Sequence, residues 1–335
     1  MTTKRWARLV AAAAVAVVAA SACGTTGKDK GSTGGDSNQT VTGLRVMVPT
    51  AAGGGYDVTA RTAAKAMEDA KIARNVEVFN LTGAGGTVAL QRLVNEKGNG
   101  DLAMMMGLGV VGSVYTNKSK ATLAQTTPLA RMIEEAGTIF VSKDSPYKTF
   151  DDLVKAWKAD PGKVTVGGGS SPGGPDHLLP MQLAQAVGID PKKVNYIGYD
   201  GGGELLPAIL GNKVAFGASG YTEFIDQVKA GQLRALAVTS QKRVDVLGDT
   251  KTTKEQGVDL VFTNWRGFVA APGISDADRK KLQGVLDRLH ESEQWKEAVK
   301  KNGWTDAYLA GDQFSTFLKA QDQQVGDVLS KLGLS

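Results

Sequence analysis

The stretch that decides the fold is Pro49-Thr50-Ala51-Ala52-Gly53-Gly54-Gly55-Tyr56-Asp57-Val58-Thr59-Ala60-Arg61, a glycine loop between an apolar run and an amphipathic one. Residues 44–48 have the pattern of a strand, and apolar residues recur at helical spacing over residues 57–69. A glycine loop at this position lets backbone N–H groups turn inward beside the unpaired amides and partial positive charge of the helix. The stretch therefore predicts a βα unit whose loop can hold an anion.

Short apolar runs and longer amphipathic runs alternate along the rest of the chain, which is the pattern of an α/β protein. Further glycine loops follow predicted strands near residues 83–86, 169–173 and 201–203, and a Thr/Pro-rich connection at 126–128 leaves two such loops in each half. Glycine accounts for 42 of the 335 residues, above the usual share of about 7%. Any single loop could serve only a tight connection, but four together predict a ligand held between the two halves.

The N-terminus has the pattern of an export signal. Basic residues precede an uncharged run from Leu9 to Ala20, and small residues then lead to Cys23, the only cysteine. The run is shorter than the roughly 20 apolar residues that span a bilayer. A cysteine at this boundary resembles the lipobox of bacterial lipoproteins, which predicts that Cys23 is lipidated. The alternative is an ordinary secreted protein in which Cys23 has no role. Residues 24–43 have the composition of a flexible linker.

Composition excludes several classes of function. Removing the three basic residues of the signal from 39 leaves 36 Lys and Arg against 34 Asp and Glu, and no basic run indicates nucleic acid. A single cysteine permits no disulfide within the chain. Two histidines far apart, without a recognisable carboxylate spacing, give no support for a metal site, and no cofactor is expected.

Several motifs resemble those of the tripartite tricarboxylate transporter substrate-binding proteins, the Bug-type receptors. Residues 49–61 are similar to their P-x-x-x-G-G-x-x-D-x-x-A-R segment, and Asn80-Leu81-Thr82-Gly83-Ala84-Gly85-Gly86 is similar to their N-x-x-G-A-G-G loop. Later landmarks occur in the same order along residues 44–335. They are Gly169-Ser170-Ser171 with His177, Tyr199-Asp200-Gly201-Gly202-Gly203, and Trp265-Arg266-Gly267.

This resemblance implies a two-lobed fold of the periplasmic-binding-protein type (type II), with a cleft between two α/β domains. We expect a signal peptide at 1–22, a lipid-anchored linker at 23–43, one lobe from 44–138 with 265–335, and a second lobe from 139–264. The implied function is an extracytoplasmic receptor, held at the cell membrane through Cys23, which captures a small organic carboxylate. It would present this ligand to the permease subunits of the transporter, and we expect a monomer.

The predicted ligand-binding residues come from the four loops and the later landmarks. They are Gly53, Gly54, Gly55, Tyr56, Asp57, Gly85, Gly86, Gly169, Ser170, Ser171, His177, Tyr199, Asp200, Gly201 and Gly202.

Structural roles remain open for the individual side chains. Asp57 could cap the first helix and pair with Arg61 one turn later. The two serines could cap the helix that follows them. His177 and Tyr199 could pack without touching a ligand, and Trp265 could belong to the core rather than to the floor of the cleft.

Two literal motifs keep an exported enzyme, either nucleotide-dependent or a hydrolase, as the alternative. Residues 107–112 fit G-x-G-x-x-G, with Glu134 and Glu135 beyond them, but residues 113–125 lack the period of an amphipathic helix. Residues 169–173 fit G-x-S-x-G. In that motif Pro172 has no N–H for an oxyanion hole, and only His290 follows in the usual order of a triad. We therefore expect no catalytic activity.

Overall fold

The computed structural model describes residues 40–199 and 201–335. Cys23, the predicted signal peptide, the linker up to residue 39 and Asp200 lie outside the described residues. Within the described ranges, no helix is both long enough and apolar enough to cross a membrane.

The first half of the described chain alternates strands and helices, as predicted. Its elements are β1 (Val41–Thr42), β2 (Arg45–Val48), α1 (Gly55–Asp69), β3 (Ala73–Arg74), β4 (Glu77–Asn80), α2 (Thr87–Asn95), β5 (Leu102–Gly107), α3 (Leu108–Thr116) and β6 (Thr127–Ser142).

The second half continues this alternation and ends in three helices interrupted by one strand. Its elements are α4 (Phe150–Ala159), β7 (Val166–Gly168), α5 (Pro175–Ala186), β8 (Tyr196–Gly198), α6 (Gly202–Leu210), β9 (Phe216–Gly220), α7 (Ile225–Lys229), β10 (Leu233–Val238), β11 (Thr263–Ala270), α8 (Asp276–Glu291), α9 (Glu293–Lys301), β12 (Thr305–Ala310) and α10 (Gly311–Leu332). The predicted cap of α8 is present, since the Ser275 side chain accepts a hydrogen bond from the amide of Asp278.

Most strands form one mixed sheet in the order β4-β2-β5-β11-β6-β9-β7-β8, with β10 and β12 also paired to β6. The pairs β2/β4 and β2/β5 in the first half, and β7/β8 and β7/β9 in the second, are parallel. The long strand β6 connects the two halves. Its first part pairs with β11 and β12, and its last part pairs with β9 and β10.

The predicted connection at 126–128 was wrong, because residues 127–142 form one continuous strand. The predicted strand at 139–141 is only the last part of it. Pro128 is accommodated where the register between β6 and β11 shifts, a position at which a proline without an N–H interrupts no regular ladder.

Helices cover both faces of the sheet in the first half. Every residue of β5 is buried, as expected for a strand in the middle of a covered sheet. Met104 and Met106 of β5 pack in the core with residues of α2, α3 and α10. The alternate residues Ala103 and Met105 pack with residues of α1, α8 and α9. This layering places the loops at the C-terminal ends of β2, β4 and β5 on one edge of the sheet, where α/β proteins bind ligands.

Candidate ligand-binding site

Asp57 holds the loop at the start of α1. It is the third residue of the helix and is 3% exposed. Its carboxylate accepts hydrogen bonds from the Gly53 amide at 2.9 Å and from Arg61 Nε at 3.0 Å. Burial raises the pKa of Asp57, but the hydrogen bonds from Arg61, Gly53 and Asn80 outweigh burial and leave the pKa below its ordinary value. The Asp57 side chain therefore orients loop 53–57 and pairs with Arg61 as expected, but it does not cap α1, whose N-cap residue is Gly54.

Asn80 joins the first two glycine loops into one unit. Its Nδ2 donates to the carbonyl of Thr50 at 2.9 Å and to Asp57 Oδ1 at 2.8 Å, and its Oδ1 accepts from Arg61 Nη2 at 2.9 Å. The two motifs 49–61 and 80–86 are therefore a single hydrogen-bonded arrangement of Asn80, Asp57 and Arg61.

The glycines of loop 83–86 allow this loop to lie against α3. Gly85 and Gly86 have φ of +62° and +97°, a backbone region that residues with a Cβ rarely adopt. A Cβ at Gly85 would also clash with Ser113 Oγ, and a Cβ at Gly86 would lie 2.9 Å from Pro49 Cβ and Val110 Cγ2. The predicted binding residues Gly85 and Gly86 thus have a packing role at the side of α3.

Tyr56 occupies the N-terminus of α3. Its hydroxyl accepts hydrogen bonds from the amides of Gly109 at 3.0 Å and Val110 at 3.4 Å. Burial raises the pKa of Tyr56 to about 12, against the opposing effects of Arg266 and the two amides. Residues 113–125 do not form an amphipathic helix, as expected, because α3 spans only Leu108–Thr116, although this short helix does begin inside the G-x-G-x-x-G motif. The helix end that would bind a phosphate in a dinucleotide fold is nevertheless taken by the tyrosine.

Asp176 and Ser170 organise the loop between β7 and α5. The Asp176 carboxylate accepts from the Gly169 amide and from Ser219 Oγ, both at 2.8 Å. Ser170 Oγ accepts from the Asp176 amide at 3.0 Å, so Ser170 caps the first turn of α5. The Ser170 carbonyl accepts from the Tyr196 hydroxyl at 2.5 Å. Ser171 is exposed beside them.

His177 fixes the same loop from within α5. Its Nδ1 accepts from the Gly173 amide at 3.1 Å, its ring stands edge-on to Tyr196 at 4.8 Å, and it is 4% exposed. Burial lowers the pKa of His177 to about 4, so the ring is neutral at pH 7. The ring nitrogen that could act as a base is thus engaged by backbone, which argues against a Ser171–His177 hydrolase pair.

The loop after β8 lies beside the loop after β7. Gly201, with φ of +84°, donates its amide to the Gly169 carbonyl at 3.2 Å and precedes the first residue of α6, Gly202. A Cβ at Gly202 would clash with the carboxylate of Glu223. Tyr199 packs over β7, where a Cβ on Gly167 would lie 3.2 Å from its ring.

A buried ion pair between β6 and β11, the strands at the boundary of the two halves, lies among these loops. Arg266 Nη2 on β11 is 3.7 Å from Glu135 Oε2 on β6, and the two side chains are 10% and 6% exposed. A Cβ on Gly55 would lie 2.6 Å from Arg266 Nη2, so the guanidinium lies against the first residue of α1. Glu135 also accepts from the Thr222 amide at 3.2 Å and from the Thr222 hydroxyl. The pair therefore links loop 53–57 to residues that follow β9.

Sequence reasoning missed Glu135, Glu223 and Asp176 as site residues and noted Arg266 only as a neighbour of Trp265. The available signal was a single charged residue, Arg266, in a run that is otherwise without polar side chains from Trp265 to Ala270. Trp265 belongs to the core, since it is 0% exposed and its indole N–H donates to Gln321.

The structure brings loops 53–57, 169–171 and 201–202 around one group of charged side chains. Contacts also join the two halves directly, because a Cβ on Gly112 of α3 would clash with the Gly173 carbonyl. Glycines 53–55 are exposed at the N-terminus of α1, and the unpaired amides of a helix N-terminus favour an anion.

Comparison with known proteins identifies the family. The family described as the tripartite tricarboxylate transporter family receptor matches residues 59–334. A relative from Agrobacterium vitis, the UPF0065 protein in the TAR-I ttuE-ttuC' intergenic region, is 30% identical over 246 residues, covering 72% of this chain and 70% of the relative.

Solved structures have the same fold. A TctC solute-binding protein from Polaromonas is 24% identical with a TM-score of 0.73, covering 86% of this chain and 98% of that one. MatC from Rhodopseudomonas palustris, solved with bound malate, is 20% identical with a TM-score of 0.70, covering 86% of this chain and 99% of MatC. The predicted α/β binding-protein fold is confirmed. The chain belongs to the tripartite tricarboxylate transporter receptor family.

Proposed function

We propose that this protein captures a small organic carboxylate outside the cytoplasm and delivers it, as a monomer, to the permease of a tripartite tricarboxylate transporter. The observation that carries the proposal is the convergence of loops from both halves around Arg266. Gly55 lies against its guanidinium, while Glu135 connects it to Thr222. A receptor that binds between two lobes needs such a meeting of loops.

The carboxylate would bind at loop 53–57. The amides in the first turn of α1 lack partners within the helix, and the macrodipole of a 15-residue helix favours an anion there. Arg266 adds a positive charge beside Gly55. The malate bound to MatC supports a carboxylate as the class of ligand.

Closure would occur about the continuous strands. We place one lobe at 44–138 with 265–335 and the other at 139–264. The chain passes from one lobe to the other within β6 and after the second residue of β11. Strands that run through a boundary between lobes can act as the hinge of a closing receptor. Loops 169–171 and 201–202 would then complete the pocket from the second lobe.

The proposed membrane tether depends on Cys23, which follows the signal sequence directly. In cells that export the protein, Cys23→Ser is expected to abolish incorporation of radiolabelled fatty acid and to release the mature protein from the membrane fraction. The wild-type chain provides the control. Membrane retention of the serine variant equal to wild type would contradict the tether.

Calorimetry with a panel of ligands tests the receptor. The panel contains di- and tricarboxylates, aromatic acids and acidic amino acids, alongside NAD and ester substrates. Saturable binding of a carboxylate without turnover supports the proposal. Turnover of an ester or reduction of a nucleotide, or the absence of binding by every carboxylate, overturns it.

Gly54→Val is expected to abolish this binding while the protein still folds. Gly54 has φ of −76°, and a Cβ there would come no closer than 3.6 Å to any heavy atom of the protein. The added methyl groups would instead project from the exposed loop where we place the ligand. Calorimetry measures the affinity, and thermal unfolding provides the control for folding. Wild-type affinity in the variant would remove loop 53–57 from the site.

A further inference from the structure

A second cavity lies on the face of β6 and β11 opposite the candidate site. Successive side chains of a strand point to opposite faces of the sheet. Glu135 and Arg266 pair beside the candidate loops. Their neighbours Glu134 and Trp265 therefore lie on the other face, against which α10 packs. This rear cavity has a volume of about 230 Å³ and is lined by residues of β6, β11, α5 and α10, including Glu134 and Gln182.

A chain of glutamine amides forms one wall of the rear cavity. Gln321 Oε1 accepts from the indole N–H of Trp265 at 3.2 Å, and Gln321 Nε2 donates to Gln324 Oε1 at 3.1 Å. Gln324 Nε2 donates in turn to Gln182 Oε1 at 3.1 Å. Gln182 is 7% exposed, and its Nε2 donates to no other residue that the structure describes. Because buried polar groups are normally hydrogen-bonded, this amide needs an acceptor inside the cavity.

The charged side chains of the rear cavity balance each other. Arg131 Nη1 is 3.3 Å from Glu134 Oε2, and the two side chains are 15% and 24% exposed. The Arg131 guanidinium also lies over the ring of Phe317, 4.4 Å from its centroid. Glu134 Oε2 accepts from the Thr263 hydroxyl at 3.0 Å as well, so among the described residues only Oε1 of this carboxylate has no donor. A charged ligand would find no counter-charge here and would be costly to desolvate.

The rear cavity is large enough for a small organic molecule and has an entrance. Its volume is that of several water molecules, each of which occupies about 30 Å³ in the liquid. A surface hollow of about 320 Å³ adjoins it and shares Glu134, Gln241 and Thr263 with its lining. Gln241 is exposed, so it marks the mouth of the cavity.

We infer that the rear cavity is a second binding site, which takes a small uncharged molecule with several hydroxyl groups. A hydroxyl both accepts and donates, so a polyol can accept from Gln182 Nε2 and donate to Glu134 Oε1. Its CH groups can pack on the apolar part of the lining, which includes Leu108, Val261 and Phe262.

Occupancy of the rear cavity should be coupled to the candidate site. Gln182 lies in one proposed lobe, and Glu134 and Gln324 lie in the other. A polyol bonded to Gln182 and Glu134 holds the lobes as they stand here, with the candidate loops together. The polyol and the carboxylate should therefore raise each other's affinity by the same factor. Only this coupling rests on the proposed function, since the rear cavity shares no lining residue with the candidate loops.

Calorimetry with matched small molecules tests the rear site. Glycerol, erythritol and xylitol are the polyols, and serinol, which has an ammonium group in place of the central hydroxyl of glycerol, is the charged counterpart. We expect saturable binding of at least one polyol, and glycerol should bind at least about tenfold more tightly than serinol at pH 7 because the cavity has no net charge. Serinol binding as tightly as glycerol would overturn the assigned ligand class.

Two tryptophan variants locate the binding. Gln241→Trp would fill the mouth of the rear cavity and should abolish polyol binding. Gln313→Trp is the matched control, since Gln313 is also exposed but lies in the first turn of α10, outside the lining of the cavity. Thermal unfolding checks that both variants fold. Equal polyol affinity in the two variants would show that binding is adventitious and would overturn the inference.

Gln182→Leu removes the buried amide that needs an acceptor. Polyol affinity should fall by about 3- to 10-fold, the usual effect of losing one neutral hydrogen bond. Wild-type polyol affinity in this variant would contradict the binding mode. No saturable polyol binding by the wild-type protein would mean that the cavity holds only water, and the inference would fail.

The coupling has its own readout. At a saturating polyol concentration, the best carboxylate of the receptor panel should bind at least about fivefold more tightly than without polyol. An unchanged carboxylate affinity would overturn the coupling. If no carboxylate binds at all, the proposed function fails, while the polyol titrations still decide whether the rear site exists.

Discussion

Arg266→Met is expected to lower the free energy of unfolding by about 3–5 kcal/mol, the usual cost of removing one partner of a buried ion pair. Arg266 and Glu135 are both more than nine-tenths buried. Without the guanidinium, Glu135 keeps its bonds to Thr222 but loses its only nearby positive charge among the described residues. Urea unfolding measures the loss.

The double variant Arg266→Met with Glu135→Gln provides the matched control. Glutamine can still accept the Thr222 hydrogen bonds through its Oε1 while carrying no charge. We expect the double variant to recover most of the stability, since replacing a buried pair by neutral groups of similar volume is often nearly neutral. The coupling energy between the two residues is the difference between the stability change of the double variant and the sum of the changes of the two single variants. Strictly additive losses would show that the two charges do not interact.

Gly112→Ala is expected to damage both stability and binding. A Cβ on Gly112 would overlap the backbone carbonyl of Gly173, which cannot move aside as a flexible side chain could. Either α3 or the loop that carries Gly169 and Ser170 must shift, at a cost of about 1–3 kcal/mol, the usual range for overpacking. Ligand affinity should fall together with stability, because a displacement of about 1 Å in that loop misplaces the hydrogen-bond donors that the second lobe contributes to the site. Thermal unfolding and calorimetry measure the two effects.

Gly284→Ala is the matched control for that substitution. Gly284 also lies within a helix, α8, but a Cβ there would have no atom within 4 Å beyond its chain neighbours and the local backbone of α8. The change should stabilise the protein by about 0.5–1 kcal/mol through helix propensity and leave binding unaltered. A Gly112→Ala variant that behaves like Gly284→Ala would show that α3 and the Gly173 turn are not in contact.

The sequence predicted the loops and the fold class because both depend on local patterns. Glycines between apolar and amphipathic runs indicate βα connections, and loops 53–57, 169–173 and 201–203 lie at such connections. The ion pair of Asp57 with Arg61 and the hydrogen bond of Ser170 at the start of α5 could also be foreseen, since both are short-range features.

The sequence could not predict contacts that depend on register and packing. Glu135 meets Arg266 only because β6 and β11 pair in one particular register. Tyr56 reaches the start of α3 across the edge of the sheet. The strand β6 was misplaced because Pro128 near its start has the local pattern of a connection, whereas pairing with β11 keeps the backbone extended.

Hydrogen exchange with and without ligand tests the central claim most directly. Mass spectrometry would follow backbone amides of the protein saturated with the tightest carboxylate found by calorimetry. We predict slower exchange in segments 53–57, 169–171 and 201–205 together, because one ligand would contact loops from both halves. Protection confined to one half of the chain, or located away from all three segments, would contradict a site formed between them.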